Sequence, residues 1–258
     1  IATSRMARRN VVVRHLTAVE SLGSCTLIAS DKTGTLTVNQ QTARAIALPT
    51  GDVFSVTGIG YAGEGEVIPE SGDTIDSESR VQVERLARIA TINNEAVLEQ
   101  TDERGWIHRG DAIDVAFLAL TYKLGLDPFY IRKSVPQITS VPFESERRYG
   151  ATWYLEGEEM LVAVKGAAEA IIPLCRTMGD GPDGSLPLDK DRVRKEHDLL
   201  TSQGFRVLAV AHGRVKESVS AEEPELPPLE FLGLVGFIDP IRPDVPDAGC
   251  LATTDWHS

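Results

Sequence analysis

The stretch Thr26-Leu27-Ile28-Ala29-Ser30-Asp31-Lys32-Thr33-Gly34-Thr35-Leu36-Thr37 decides the reading of the chain. A short apolar run ends abruptly in a carboxylate, followed by a lysine, a glycine and three threonines. Such a run predicts a strand buried on both faces, with Gly34 marking a tight turn beyond it, although periodicity alone leaves a helix open. In open α/β sheets, ligands bind beyond the carboxyl ends of the strands. A carboxylate there, Asp31, is placed for nucleophilic work on a phosphate, because covalent catalysis splits one hard step into two. Lys32 offsets phosphate charge, while hydroxyls and turn amides supply donors. The plain alternative is a turn with a capping Asp.

A second apolar run, residues 231–238, also ends in Asp, at Asp239. Two buried-strand candidates separated by about 200 residues of mixed elements predict one domain inserted into another. Residues 58–74 are rich in Gly, Glu and Pro and read as loop. A helix is expected over 80–99, with Leu86, Ile89, Ala90, Asn93 and Val97 on one face. Another is expected from Asp111, with Asp114 three residues on, to Gly125. Strands at 153–155 and 161–164 flank Glu156-Gly157-Glu158-Glu159, a hairpin turn. A charged helix at 189–203 leads through Gly204 to a strand at 206–211, and residues 222–228, with three prolines, read as a linker.

The chain has 258 residues, 26 Lys+Arg against 38 Asp+Glu, and a formal net charge of -12. That acidic balance argues against sequence-independent binding to nucleic acid or to anionic lipid, both of which need a basic face. Cys25, Cys175 and Cys250 form neither a disulfide framework nor a zinc pattern, so a reducing compartment is the default. No apolar stretch approaches the roughly 18 residues needed to cross a bilayer, and no signal peptide is evident. A chain that opens on Ile1 is expected to be a piece of something longer. The locally basic opening at residues 5–14 reads as a terminal helix, and residues 253–258 as a loose end.

The string Asp31-Lys32-Thr33-Gly34-Thr35-Leu36-Thr37 resembles the phosphorylation signature of P-type cation-transporting ATPases of type II. The resemblance continues, in order, along nearly the whole chain. Residues 5–23 resemble the stalk leading out of the membrane, and Gly110-Asp111-Ala112-Ile113-Asp114 a helix-opening motif of the nucleotide domain. Phe143-Glu144-Ser145-Glu146-Arg147-Arg148 is similar to a nucleotide motif whose last position is often Lys. Lys165-Gly166-Ala167-Ala168-Glu169 is similar to one that usually has Pro at Ala168. Gly204-Phe205-Arg206-Val207-Leu208-Ala209 matches a further nucleotide segment, and Asp239-Pro240-Ile241-Arg242 a hinge-side motif with Ile241 for the usual Pro.

The resemblance implies an α/β (α+β) fold: a nucleotide-binding domain with an antiparallel sheet and flanking helices, inserted in an incomplete haloacid-dehalogenase-like, Rossmann-like phosphorylation domain. Residues 1–42 are expected to carry the stalk end and the first part of that domain, 43–228 the nucleotide domain, and 229–258 a truncated second part. The ligands implied are ATP and Mg2+, the metal held by Asp31 and the carbonyl of Thr33. Asp31, Lys32 and Thr33 form the catalytic set; Asp114, Phe143, Arg148, Lys165, Gly166 and Arg206 the ATP pocket; Asp239 and Arg242 the hinge side. Phe143 offers the adenine a stacking platform, Lys165 and Arg206 oppose phosphate charge, and Arg148 contributes or is merely exposed. Asp114 either accepts from the adenine amino group or caps its helix. Hinges are expected near Asn39-Gln40 and at 222–228. ATP is itself anionic, so the acidic background predicts weak, salt-sensitive and Mg-sensitive nucleotide affinity.

The parent protein is then expected to be a cation pump of the plasma or inner membrane, with this chain on its cytoplasmic side, calcium the first choice of ion, and the membrane domain and ion ligands elsewhere. The Gly-Asp-Gly element that usually follows does not occur after Asp239, so the isolated chain is expected to bind nucleotide with little turnover. Two other readings stand: a soluble haloacid-dehalogenase-type phosphatase, opposed by Thr33 where that class carries a second Asp, and a non-catalytic nucleotide-binding module.

Overall fold

A computed structural model describes residues 8, 12, 26–72, 74–102, 105–181, 184–215 and 225–247. The expected stalk and basic helix, Cys25, Cys250 and the closing polar segment lie outside the described residues.

The architecture is one large sheet covered on both faces. Its strands are β1 (Thr42–Ala47), β2 (Val53–Val56), β3 (Val67–Pro69), β6 (Gln137–Val141), β7 (Tyr149–Glu156), β8 (Glu159–Ala167), β11 (Arg206–Val215) and β12 (Leu229–Ile238) in the order β3-β2-β1-β12-β11-β8-β7-β6, each pair antiparallel. β9 (Cys175–Gly181) runs parallel to the start of β12 and pairs with β10 (Gly184–Pro187). β4 (Val97–Thr101) and β5 (Gly105–Arg109) form a separate ribbon. The helices are α1 (Ser77–Ile92), α2 (Ala112–Lys123), α3 (Pro128–Ser134), α4 (Ala168–Ile171) and α5 (Lys190–Ser202).

Side-chain alternation explains the two cores. Leu161 and Ala163 of β8, Leu208 and Val210 of β11, and Val235 and Phe237 of β12 share one cluster with Val83, Leu86 and Ala90 of α1 and Phe117 and Leu118 of α2. Val162, Val164, Ala209 and Ala211 point the other way, against Trp153, Ile171 of α4 and Val193 and Leu200 of α5. A strand covered on both faces needs a continuous apolar run, and nine of the ten residues of β12 are buried.

That position corrects the boundary expected at 229. Residues 229–238 pair with β1 and β11 in the middle of this sheet, so the strand shares one sheet with the strands of residues 43–228. The strand expected at 26–29 is also corrected. Leu27 and Ile28 are 82% and 67% exposed and pair with no strand among the described residues. An apolar run becomes a buried strand only where neighbours cover it, and none of the described elements does so.

The helix expected over 80–99 ends early. Asn93 is its C-cap, Asn94 Oδ1 accepts from the Ala96 amide at 2.9 Å, and Val97 opens β4. Asn side chains compete for local backbone groups and stop helices. Other expectations are matched: Asp111 caps α2 through the amides of Ile113 and Asp114, Asp189 caps α5, and β7 and β8 meet across a two-residue turn at Gly157-Glu158. Among its described residues the loop at 58–74 contains only the short β3. Cys175 is a buried free thiol, and burial pushes its pKa up to about 12.

Candidate functional site

The strand period places Lys165. Two and four residues after Ala163 and Leu161, it continues the face of β8 that packs against α1, not the strand's solvated end. It is only 8% exposed there, so its charge needs partners. Lys165 Nζ lies 2.7 Å from Asp114 Oδ1, donates to the Asn93 carbonyl, and sits 5.5 Å from the centroid of the Phe117 ring. Burial pushes the lysine's pKa down, and the Asp114 carboxylate opposes that push.

The acceptors are held in turn. Asp114 Oδ2 accepts from the Glu95 amide at 3.2 Å, and Asn94 Nδ2 donates to the Asp114 carbonyl at 2.9 Å. Asn93 Nδ2 donates to the Gly150 carbonyl at 2.7 Å, while its Oδ1 accepts from Thr152 Oγ1 at 3.2 Å. One buried knot thus ties the end of α1, the start of α2, β7 and β8.

Above this knot opens a cavity of about 310 Å³. Lys165, Gly166 and Gly150 line it from the strands, Arg206 and Leu208 from β11, and Pro142 and Phe143 from the loop after β6. Glu95, Asp111 and Asp114 complete an acidic side. Hollows of about 460 and 430 Å³ lie beside β3, but none of these residues lines them. The smaller cavity is the better candidate because apolar, cationic and acidic groups converge on it.

Of the residues expected at an ATP pocket, Asp114, Phe143, Lys165, Gly166 and Arg206 share this cavity. Phe143 is 57% exposed, so its ring presents a face at the rim. Arg148 does not line it: its Nη1 lies 4.0 Å from Glu169 Oε2 and its backbone takes the left-handed φ of 60°. Gly166 is required by the neighbouring strand, since a Cβ there would stand 2.3 Å from the Arg148 carbonyl oxygen and 2.5 Å from the Tyr149 Cα. That close strand approach, and not ligand access alone, accounts for the glycine. Asn93, Asn94 and Glu95 were missed as site residues; the signal was the polar pair closing an apolar helical period, a stop mark whose second role as a lysine acceptor only the fold reveals.

Asp31, Lys32 and Thr33 are exposed, stand apart from this cavity, and lead into the turn Lys32–Leu36, where Thr33 and Gly34 leave helical φ/ψ. Asp239 and Arg242 are drawn to the same turn. Asp239 Oδ2 accepts from Thr37 Oγ1 at 2.6 Å and Oδ1 from the Gln40 amide at 3.1 Å. Arg242 donates from Nε to the Thr37 carbonyl at 3.1 Å and from Nη2 to the Gly34 carbonyl at 3.0 Å. Thr37 and Ile241 form an antiparallel bridge. Residues 239–242 thus return to the segment that follows Asp31, while residues 225–228, where the prolines implied a hinge, lead directly into β12. Among the described residues no group of three or more His, Cys, Asp or Glu is placed to hold a metal ion. The Asp31 carboxylate and the Thr33 carbonyl are hard oxygen donors, the type magnesium takes in small number while keeping water and phosphate ligands.

A family described as the P-type ATPase cytoplasmic domain N matches residues 82–244, more than half of the chain. The chain belongs to the P-type ATPases. Its P-type ATPase relatives include "Probable cation-transporting ATPase F" of Mycobacterium tuberculosis, 38% identical over 249 residues, which cover 94% of this chain and 27% of that protein. "Calcium-transporting ATPase type 2C member 2" of Rattus norvegicus is 38% identical over 251 residues, 95% of this chain and 25% of that protein. "Cation-transporting ATPase pma1" of Synechocystis is 34% identical over 251 residues, 95% and 27% respectively. The chain thus spans about a quarter of the length of these P-type ATPases. No helix among the described residues is long and apolar enough to cross a membrane.

Proposed function

We propose that the chain is the cytoplasmic ATP-binding and phosphoryl-accepting region of a cation pump, with Asp31 as the residue phosphorylated. The single observation that carries the reading is the 310 Å³ cavity in which Phe143 offers an aromatic face at the rim, Arg206 an exposed cation and Lys165 a buried one. The adenine stacks on Phe143, and Arg206 opposes polyphosphate charge in forked fashion. Lys165, already committed to Asp114 and Asn93, acts chiefly as a fixed positive charge under the site.

Closure of this unit on the Asp31 segment brings the γ-phosphate in line with a carboxylate oxygen. The Asp31 Oδ–P bond forms as the P–O bond to the β-phosphate breaks, and ADP leaves with that electron pair. Asp31 and the Thr33 carbonyl would hold a Mg2+ ion, which neutralises phosphate charge when bound. Thr33 offers no carboxylate to activate water, so the aspartyl-phosphate persists long enough to drive a conformational step. Two relatives' names favour calcium or a broader cation class for the parent.

Nucleotide titration of the chain tests the pocket. Stacking worth about 1–3 kcal/mol makes Phe143→Ala weaken ATP by roughly fivefold or more. Asp31→Asn is expected to leave ATP affinity unchanged. Equal affinity of wild type and Phe143→Ala overturns the reading.

A further inference from the structure

Phe143 has the task of presenting a ring while more than half exposed, so the core cannot hold it in place. Its backbone must be held instead, and one side chain spans its two neighbours. Arg147 Nη1 donates to the Pro142 carbonyl at 3.3 Å, and Nη2 lies 3.1 Å from Glu144 Oε2. The same guanidinium carbon stands 5.9 Å from the centroid of the Tyr149 ring, on the first residue of β7. The loop is closed behind it by the Arg148 amide, which donates to the Glu144 carbonyl at 2.6 Å. Arg147 does not itself line the cavity.

We propose that Arg147 is a positioning residue that sets the Phe143 ring for the base, acting through the loop and not through the phosphates. This rests on the nucleotide reading given above. A planar fork can grip the carbonyl before Phe143 and the carboxylate after it while lying on Tyr149; an ammonium has the charge but not the fork. Neither a cavity change nor a net-charge change therefore explains the role, and base and phosphate contributions separate it cleanly.

The test is a double-mutant cycle read with adenosine and with ATP on the full chain, alongside thermal unfolding. Arg147→Ala is expected to weaken adenosine and ATP by the same factor, about threefold to tenfold, with Arg147→Lys recovering little of it. In a Phe143→Ala background, Arg147→Ala is expected to cost nothing further, because the ring it positions is gone. Full additivity of the two changes, or a loss confined to ATP with adenosine unaffected, overturns the positioning role. Arg147→Ala losses that follow a general fall in melting temperature and persist in the Phe143→Ala background also overturn it. Wild-type chain that binds neither ligand, or a Phe143→Ala change with no effect, overturns the nucleotide reading itself and is distinguishable from failure of the Arg147 proposal alone.

Discussion

Replacing Asp114 by Asn is the sharpest probe of the buried knot. The substitution keeps the side chain's shape and its place in the first turn of α2 but removes the only carboxylate within ion-pair reach of Lys165 among the described residues. The two side chains are 10% and 18% exposed, so the pair is shielded from water. Removing one partner of such a pair costs about 3–5 kcal/mol. An upper bound comes from the lysine itself, which can escape by losing its proton: from an ordinary pKa near 10.4, neutralisation at pH 7 costs roughly 4–5 kcal/mol. The remaining acceptor, the Asn93 carbonyl, and the Phe117 ring keep the loss toward the lower end, about 3 kcal/mol. For a unit of this size that is a fall in melting temperature of roughly 6–12 °C.

The pH dependence has a definite sign. Without Asp114 the folded-state pKa of Lys165 lies further below its unfolded value, because burial is no longer opposed by the carboxylate. The penalty is complete below that folded pKa and shrinks as pH rises from it toward the unfolded value. Urea unfolding of wild type and Asp114→Asn at neutral and at alkaline pH reads this directly. A double change, Lys165→Met with Asp114→Leu, is expected to regain most of the loss, because two apolar groups of similar volume need no counter-charge. A melting temperature within about 2 °C of wild type, on the scale of a sub-kcal/mol effect, or a deficit that widens at high pH, refutes the assignment of this pair as buried and mutually dependent.

Two further predictions concern single residues. Gly166→Ala would place a Cβ against the backbone of Arg148 and Tyr149, so it is expected to destabilise by several kcal/mol and to disturb the Phe143 loop; a near-neutral unfolding curve counts against the observed strand approach. Lys123 is half-buried beside Arg44, donates to the Thr57 carbonyl at 2.8 Å, and has its pKa lowered to about 8 by burial first and by Arg44 second. Its unfolded value is higher, so wild type is expected to gain stability as pH climbs from about 8 to about 10.5, a gain that Lys123→Met lacks. Unfolding free energies of the two proteins that run parallel across that window contradict it.

Local chemistry was legible in the sequence. Asp111 and Asp189 announced their helices because a capping carboxylate needs only the two or three amides that follow it. The Glu156–Glu159 turn announced a hairpin for the same local reason. Long-range choices were not legible. Lys165 read as a cation opposing phosphate charge, but its partners come from the end of α1 and the start of α2, 72 and 51 positions away in the sequence, and only the fold brings them together. The same applies to Arg148: the motif left it open between pocket and surface, and its side chain stands near Glu169 on a left-handed backbone, off the cavity lining. Residues 231–238 showed their burial plainly, but an apolar run of strand length does not say which sheet it joins.

The stem at Thr37 and Ile241 has an architectural consequence. The chain enters and leaves the large sheet along two adjacent strands, bonded from the Val38 amide to the Pro240 carbonyl and from the Arg242 amide to the Leu36 carbonyl. The stem segments 36–38 and 240–242 are therefore separated by about 5 Å, one strand spacing. Everything between them is a cassette that a host fold could accept at a single loop or lose from it, and its rewiring would require no change in the strand order on either side.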